Sequence, residues 1–209
     1  IVIKAGGYDS KTVGEDMELV VRMRRYMYEN KLKCRVVYIP DPLCWTEVPE
    51  TLKILSRQRN RWMRGTIETL RKHKSLFLNP KYGNLGMVGI PYWFFFEWMS
   101  PYIEAIGIVY VILQFVIGTP NWTFFVILLS FTYLFAVVFS AWSIFFEEFS
   151  YPRYTRNRDI LKLVLVSMIE PIVYHPFNVW FSLKGNYHYF TGVRSWGKME
   201  RKGFANKKK

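Results

Sequence analysis

The chain has 209 residues, 51% of them apolar and 19% aromatic, and it carries a formal net charge of +13 at pH 7. This charge is unevenly distributed, because residues 87–146 contain no Lys or Arg whereas residues 1–86 contain 17. A stretch of 60 residues without a cation excludes a soluble nucleic-acid-binding protein. The composition is typical of a membrane protein with charged parts outside the bilayer. We therefore expect the lipid bilayer as a partner and no nucleic acid.

The start of the chain suggests the C-terminal part of a longer protein. Ile1–Lys4 has the pattern of a strand end that runs into the Gly6-Gly7 turn signal, with neither an initiator Met nor a signal peptide. The cysteines, Cys34 and Cys44, have neither metal-ligand spacing nor a nearby His. We interpret both as reduced cytoplasmic thiols rather than as a disulfide or a metal site.

Residues 1–86 have the pattern of alternating helices and strands. Thr12–Asp16 predicts a helix start with acids in the first turn, and Cys34–Ile39 predicts a short strand that ends at Pro40. A second helix is expected to begin near Pro49 and to run toward Lys74. These elements cannot close a sheet by themselves, so the predicted fold class is α/β with a partner half elsewhere.

The membrane part begins with one apolar stretch, Met87–Gly118. At about 1.5 Å per residue it is too long for a single straight span of about 30 Å. We predict an interfacial or kinked helix up to about Pro101, followed by a span to Gly118. The stretch also contains residues that do not suit a regular span: Pro91, Glu97, Pro101 and Glu104.

Two further apolar segments follow. Trp122–Phe146 is predicted to be a clean span, and Ile160–Leu183 is apolar but carries Pro171 and Pro176. If residues 1–86 are cytoplasmic, a third full span would place the basic residues 184–209 on the opposite, non-cytoplasmic side of the membrane, against the positive-inside rule. Either the third segment is broken, re-entrant or lies on the membrane surface, or Met87–Gly118 crosses twice as two short pieces. The two prolines favour the broken third segment.

These patterns predict a multi-pass protein of the cell membrane in three parts. Residues 1–86 would be the C-terminal part of a cytoplasmic domain with an interfacial helix. Residues 87–183 would form the membrane region, with segments at about 87–118, 122–146 and 160–183, and residues 184–209 a basic tail.

The most informative motif is Gln58-Arg59-Asn60-Arg61-Trp62. On a helix, Gln58, Arg61 and Trp62 share one face. Arg offers a forked, permanently charged contact for a diphosphate, and an indole offers a flat platform for a sugar ring. The alternative is an amphipathic interfacial helix with its arginines near lipid headgroups.

A second motif, Gly14-Glu15-Asp16, precedes an apolar helix. A sugar hydroxyl that attacks an anomeric carbon must lose a proton, and a positioned carboxylate is the usual general base. The alternative is an ordinary acid that complements the helix dipole. Neither motif decides between these interpretations by itself.

Taken in series, the motifs resemble membrane-bound family-two glycosyltransferases of the processive type, such as cellulose, chitin, hyaluronan and poly-N-acetylglucosamine synthases. The resemblance covers about residues 5–65 closely, and the aromatic spans and Trp196–Arg201 more loosely. The segments that carry it are Gly-Gly-Tyr-Asp (6–9), Thr-Val-Gly-Glu-Asp-Met-Glu-Leu (12–19), Ile-Pro-Asp-Pro (39–42), Thr46–Leu52 and Gln-Arg-Asn-Arg-Trp-Met-Arg-Gly (58–65).

The resemblance implies a GT-A-like domain and a role for each matching residue. Asp16 would be the general base toward the acceptor hydroxyl, with Glu15 in support. Arg61 would contact the donor diphosphate, with Gln58 near the donor and Arg59 in support. Trp62 would stack on the acceptor sugar.

The resemblance also implies a UDP-sugar donor, a glycan or lipid-linked acceptor, and Mg²⁺ or Mn²⁺. Family members hold the metal through an Asp-X-Asp element that does not occur in these 209 residues, so we expect it upstream, and we assign no metal ligand here. The expected reaction is an inverting transfer that forms a β-linkage. Polymerisation and export of the product stay open, and these residues alone are expected to be inactive. The alternative is a non-catalytic membrane transporter or scaffold with a basic interfacial helix.

Overall fold

The computed structural model describes residues 1–33, 35–37, 39, 41, 43–44, 46–152, 154 and 156–193. Within these ranges the regular elements are helices. The α-helices are α1 (Glu15–Glu29), α2 (Leu52–Lys72), α3 (Ile90–Tyr92), α4 (Ser100–Ile117), α5 (Trp122–Ser150), α6 (Asn157–Val173) and α7 (His175–Phe190). Between α2 and α4 lie the 3-10 helices Lys74–Leu76 and Pro80–Tyr82 and the π-helical segments Leu85–Gly89 and Trp93–Met99.

The chain divides into two compact units. The first comprises Ile1–Glu104 and the residues from Trp180 onward, and the second comprises Ala105–Val179. In the second unit α5 packs along α6, and the hydroxyl of Tyr133 donates a hydrogen bond to the carbonyl oxygen of Met168 over 3.0 Å. The first unit contains α1 and α2, and with them the residues of the candidate site.

Helix α1 begins where the sequence predicts. Its first turn carries Glu15, Asp16 and Glu18, whose negative charges complement the positive end of the helix dipole. Its apolar face then buries Val21 against α2 and the segment that follows α2. The buried side chains of this hydrophobic core are Val21, Leu70, Leu76, Tyr82, Leu85 and Ile90.

Helix α2 begins at Leu52, three residues after the predicted start at Pro49. The start is fixed by Thr51, whose hydroxyl oxygen accepts a hydrogen bond from the backbone N–H of Ile54 over 3.3 Å. The helix runs to Lys72, close to the predicted end near Lys74.

The α/β part of the fold prediction is not confirmed. Of the predicted strand Cys34–Ile39, Cys34 and Tyr38 lie outside the described residues, and the described residues between them are not in a strand. No strand occurs in the part of the chain that the structure describes. A single extended segment needs a neighbouring strand for its N–H and C=O groups, so a β-branched run alone cannot form a sheet. Cys44 is a free, exposed thiol.

The prediction of two to three membrane segments is confirmed. The helical run Leu85–Ile117 and helix α5 are each long and apolar enough to cross a membrane. Helices α6 and α7 together are also long and apolar enough to cross a membrane, but the pair is bent by 52° at the break between the two helices. The third segment is therefore broken, as its prolines indicated.

The predicted division of the first apolar stretch at about Pro101 lies close to a change in helix type, from the π-helical segment Trp93–Met99 to α4, which begins at Ser100. Residues 85–117 form one continuous helical run. Pro91 and Pro101 each lie in the first turn of an α-helix that follows a π-helical segment. At such a position proline's missing N–H removes no i→i−4 hydrogen bond of that α-helix. The wider i→i+5 hydrogen-bond pattern of the preceding segment leaves room for the proline ring.

Candidate active site

The start of α1 lies directly against α2 through two glycines. A Cβ atom built on Gly65 would come within 2.9 Å of the Cα of Gly14, and a Cβ on Gly14 would meet the Cα of Gly65 at the same distance. Because real Cβ atoms do not approach so closely, only glycine fits on both sides of this contact. The contact places the first turn of α1 beside the turn of α2 that comes before Gly65.

The segment before α1 is fixed to α2 by one carboxylate. Oε2 of Glu68 accepts a hydrogen bond from the Thr12 hydroxyl over 2.6 Å and another from the Val13 backbone N–H over 2.9 Å. The Thr12 hydroxyl oxygen in turn accepts a hydrogen bond from the N–H of Gly14 over 3.3 Å. Both Thr12 and Val13 are buried. Sequence reasoning missed Glu68, because its partners lie 55 and 56 residues away along the chain.

The glycine contact leaves an open cavity of about 470 Å³ beside it, between α1 and α2. Its wall brings together four of the predicted site residues: Glu15, Asp16, Arg61 and Trp62. The other lining residues are Val13, Gly14, Met17 and Val20. An acid, a guanidinium and an indole from the two motifs therefore face the same space.

The polar groups of the cavity are accessible to a ligand. Asp16 is exposed, and one of its carboxylate oxygens accepts a hydrogen bond from the Met17 N–H over 2.8 Å. Trp62 is 47% exposed, and the guanidinium carbon of Arg59 lies 4.6 Å from the centroid of its ring. Because Arg59 covers one face of the indole, a sugar that stacks on Trp62 must use the other face.

Of the two remaining predicted site residues, Gln58 and Arg59, Gln58 is not brought to this cavity. It lies one turn before Arg61 on α2 and is partly buried, but it is not among the residues that line the cavity in the described part of the chain. Arg59 contributes to the site through its contact with Trp62.

A buried charge cluster lies on the side of α1 that faces the end of α2, and sequence reasoning missed it. The carboxylate of Glu18, which is fully buried, forms ion pairs with Arg22 at 3.0 Å and with Lys72 at 2.8 Å. It also lies 3.1 Å from Nε2 of His73. Lys72 contacts Asp9 as well, at 2.6 Å, which ties the N-terminal segment to both helices. The Glu18–Arg22 spacing of four residues was the signal in the sequence.

Burial acts on both titratable partners in this cluster. It opposes the ionisation of Glu18, but the hydrogen bonds from Lys72 and His73 more than offset it, so the pKa of Glu18 is lowered. Burial also lowers the pKa of His73, against the opposing effect of Glu18. The lowered pKa of Glu18 and the lowered pKa of His73 are both consistent with a neutral His73 that donates its Nε2–H to the ionised Glu18 carboxylate.

Another face of α2 packs against the end of α7. A Cβ on Gly185 would come within 2.8 Å of the Cβ of Met63, so α7 also approaches α2 through a glycine. Arg64 is buried and donates a hydrogen bond to the carbonyl oxygen of Val193 over 2.7 Å. The Arg71 guanidinium donates to the hydroxyl of Tyr189 over 3.1 Å. These contacts fix the helix that carries Arg61 and Trp62.

A metal site is not formed by these residues. Among the described residues, no group of three or more His, Cys, Asp and Glu side chains is placed to hold a metal ion. Glu68 and Glu18, which lie outside the cavity wall, are engaged by protein donors, and Glu15 and Asp16 on the wall are not joined by a third ligand of this kind among the described residues.

Comparison with known proteins assigns the chain to a family. Residues 2–145 match the model of glycosyl transferase family group 2. The chain belongs to this family. The match includes both helices of the cavity and extends through most of α5, so the site, the helical run Leu85–Ile117 and most of α5 lie within the glycosyltransferase family region.

Curated relatives of this glycosyltransferase-family chain align over shorter stretches. The probable glycosyltransferase YdaM of Bacillus subtilis (strain 168) is 35% identical over 81 residues, which are 39% of this chain and 18% of YdaM. Chitin synthase A of Colletotrichum graminicola is 39% identical over 59 residues, 28% of this chain and 3% of that protein. Chitin synthase 7 of Mycosarcoma maydis is 40% identical over 58 residues, 28% of this chain and 4% of that protein. No solved structure matches the chain significantly.

The chain therefore spans less than a fifth of the length of these relatives, since the largest share covered is 18%.

Proposed function

We propose that the protein transfers a sugar from a UDP-sugar to a glycan or lipid acceptor, and that this chain supplies the general base, a diphosphate contact and the acceptor platform. The observation that carries the proposal is the single cavity lined by Asp16, Arg61 and Trp62. The family match and the names of the relatives support glycosyl transfer as the class of reaction.

In the proposed reaction an acceptor hydroxyl attacks the anomeric carbon of the donor sugar. The bond from that carbon to the diphosphate oxygen breaks as the new glycosidic bond forms, and the hydroxyl proton passes to the Asp16 carboxylate. The Arg61 guanidinium stabilises the charge that develops on the leaving diphosphate. A single displacement of this kind inverts the anomeric centre and gives a β-linkage.

The exposed face of Trp62 suits the acceptor. The indole offers an apolar surface to the C–H groups of a sugar ring. The guanidinium of Arg59, 4.6 Å from the centroid of the indole, packs on its other face and holds the indole in one orientation. An acceptor stacked there presents its hydroxyl to the same cavity as Asp16. Gln58 would act on the donor from the adjacent turn of α2.

The apolar helices Leu85–Ile117 and α5 support a multi-pass membrane protein. We propose that its cavity faces the cytoplasm, where nucleotide sugars are made. Polymerisation and export of the product are the further proposal, since several of the relatives are named chitin synthases. Mg²⁺ or Mn²⁺ would be held by residues outside this chain. The bound metal would neutralise the donor diphosphate.

The test measures UDP release by the full-length protein in membranes with UDP-glucose, UDP-galactose, UDP-glucuronic acid and UDP-N-acetylglucosamine. Asp16→Asn keeps the shape of the side chain but removes the base, so release with the accepted donor should fall by at least about a hundredfold. Asp159→Asn is the matched control, because the Asp159 side chain is 41% exposed on α6 and belongs to the other compact unit.

Equal release by wild type and Asp16→Asn would show that Asp16 is not the base. Absence of release with every donor, in the presence of added glycan acceptor and Mg²⁺ or Mn²⁺, would instead favour the non-catalytic transporter or scaffold.

A further inference from the structure

We infer that Glu68 is a positioning residue, which holds the Thr12–Gly14 segment on α2 and so sets the place of the Asp16 carboxylate in the cavity. The inference rests on the proposed function. Glu68 does not line the cavity and has no assigned part in the chemistry; it acts through the backbone that it binds.

One oxygen atom of Glu68 makes both contacts to the Thr12–Gly14 segment. Oε2 of Glu68 accepts both the 2.6 Å hydrogen bond from the Thr12 hydroxyl and the 2.9 Å hydrogen bond from the Val13 N–H. Because the Thr12 hydroxyl donates its one hydrogen bond to Glu68, its oxygen is free to accept a hydrogen bond from the Gly14 N–H, over 3.3 Å. Three successive residues are thus oriented by a single carboxylate oxygen.

The burial of the segment makes these bonds matter. Thr12 is 7% exposed and Val13 is 9% exposed, so water does not readily replace Glu68 as the acceptor. A buried N–H or O–H that loses its partner is strongly destabilised, and the backbone relaxes to find a new one. Removal of Glu68 is therefore expected to move the segment rather than leave it in place.

Movement of the segment reaches the chemistry within one helical turn. Gly14 is the N-cap of α1, and Asp16 follows two residues later in the first turn. Glu68 and Arg61 lie two turns apart on α2, with Gly65 between them. One rigid helix therefore carries both the diphosphate contact and the clamp that fixes the base relative to it. A misplacement of about 1 Å in an active site lowers rates by about a hundredfold.

The test compares Glu68→Ala with Glu68→Gln in the full-length protein. The amide oxygen of Gln can accept both hydrogen bonds in place of Oε2, whereas Ala can accept neither. Turnover is measured as UDP release, and the number of intact sites is counted by equilibrium binding of radiolabelled UDP. Turnover per UDP-binding site separates misplacement of the base from loss of folded protein.

The expected result is a fall of about ten- to a hundredfold in turnover per site for Glu68→Ala, with an unchanged donor KM and with most turnover restored in Glu68→Gln. Thr12→Val removes one of the two donors and should give a smaller loss. The double variant Thr12→Val/Glu68→Ala should be no slower than Glu68→Ala, because the two residues act through one contact.

Several results would overturn the inference while leaving the proposed function intact. These are wild-type turnover per site in Glu68→Ala, a loss explained entirely by fewer UDP-binding sites, equal losses in the Ala and Gln variants, and additive losses in the double variant. Absence of UDP release by the wild-type protein would overturn the proposed function itself, and this inference with it.

Discussion

Replacing Gly65 by alanine tests whether the contact between the two glycines places the base. The added Cβ would lie 2.9 Å from the Cα and 3.2 Å from the N of Gly14, whereas an ordinary contact lies at 3.4–4 Å. Both opposing atoms are backbone atoms, so no side chain can rotate away. The segment must therefore shift by at least about 0.5 Å, the difference between 3.4 and 2.9 Å.

The effects of this shift on stability and on activity differ in size. Overpacking destabilises the folded protein by about 1–3 kcal/mol, and the better helix propensity of alanine returns about 0.5–1 kcal/mol. The free energy of unfolding should therefore fall by no more than about 2.5 kcal/mol. A displacement of half an ångström in the base, by contrast, should lower turnover by about tenfold.

The assay is UDP release per UDP-binding site, together with the midpoint of thermal unfolding of the detergent-solubilised protein. Gly107→Ala is the control, because Gly107 lies within helix α4 and a Cβ there meets no atom within 4 Å. The control should keep its turnover. Full turnover per site in Gly65→Ala would refute the view that this close approach positions Asp16.

Two further predictions concern the acceptor and acidity. Trp62→Leu should raise the KM for a soluble oligosaccharide acceptor about tenfold and leave the donor KM unchanged, because the stacking surface is lost; an unchanged acceptor KM would contradict the assignment. Acidification should lower the thermal midpoint in two stages. Because the pKa values of His73 and Glu18 are lowered in the folded protein, the unfolded chain binds a proton at each residue at a higher pH than the folded chain does. Stability should therefore fall below pH 6.5, the ordinary pKa of His73, and again below pH 4.5, the ordinary pKa of Glu18. His73→Gln should flatten the upper stage and Glu18→Gln the lower, and a midpoint constant from pH 7 to 4 would contradict the buried charge cluster.

Local signals in the sequence predicted much of the first unit. The acids of the first turn marked the start of α1, and the Gln58–Trp62 motif marked the part of α2 whose Arg61 and Trp62 line the same cavity as Asp16. Short motifs succeed here because helix starts and helix faces depend on residues within a turn of each other.

The features that sequence reasoning missed depend on distant partners. Glu68 is an ordinary helical acid until Thr12 and Val13 are seen to lie against it. The predicted strand failed to appear among the described residues for a related reason, since a strand is defined by its neighbour. Val36 and Val37, which suit a strand, are 57% and 69% exposed.

The π-helical segment Leu85–Gly89 sets the rotational phase of the aromatic residues that follow it. Each residue of an α-helix turns the chain by about 100°, so one extra residue accommodated in a π turn rotates everything after it by that amount. Trp98 donates a hydrogen bond from Nε1 to the side-chain oxygen of Asn186 over 2.8 Å, which requires that phase. Deleting one residue from the segment would restore α geometry and turn the indole away from Asn186. Both length and composition are therefore constrained in this short stretch, because a Cβ on Gly86 would collide with the backbone carbonyl oxygen of Asn79.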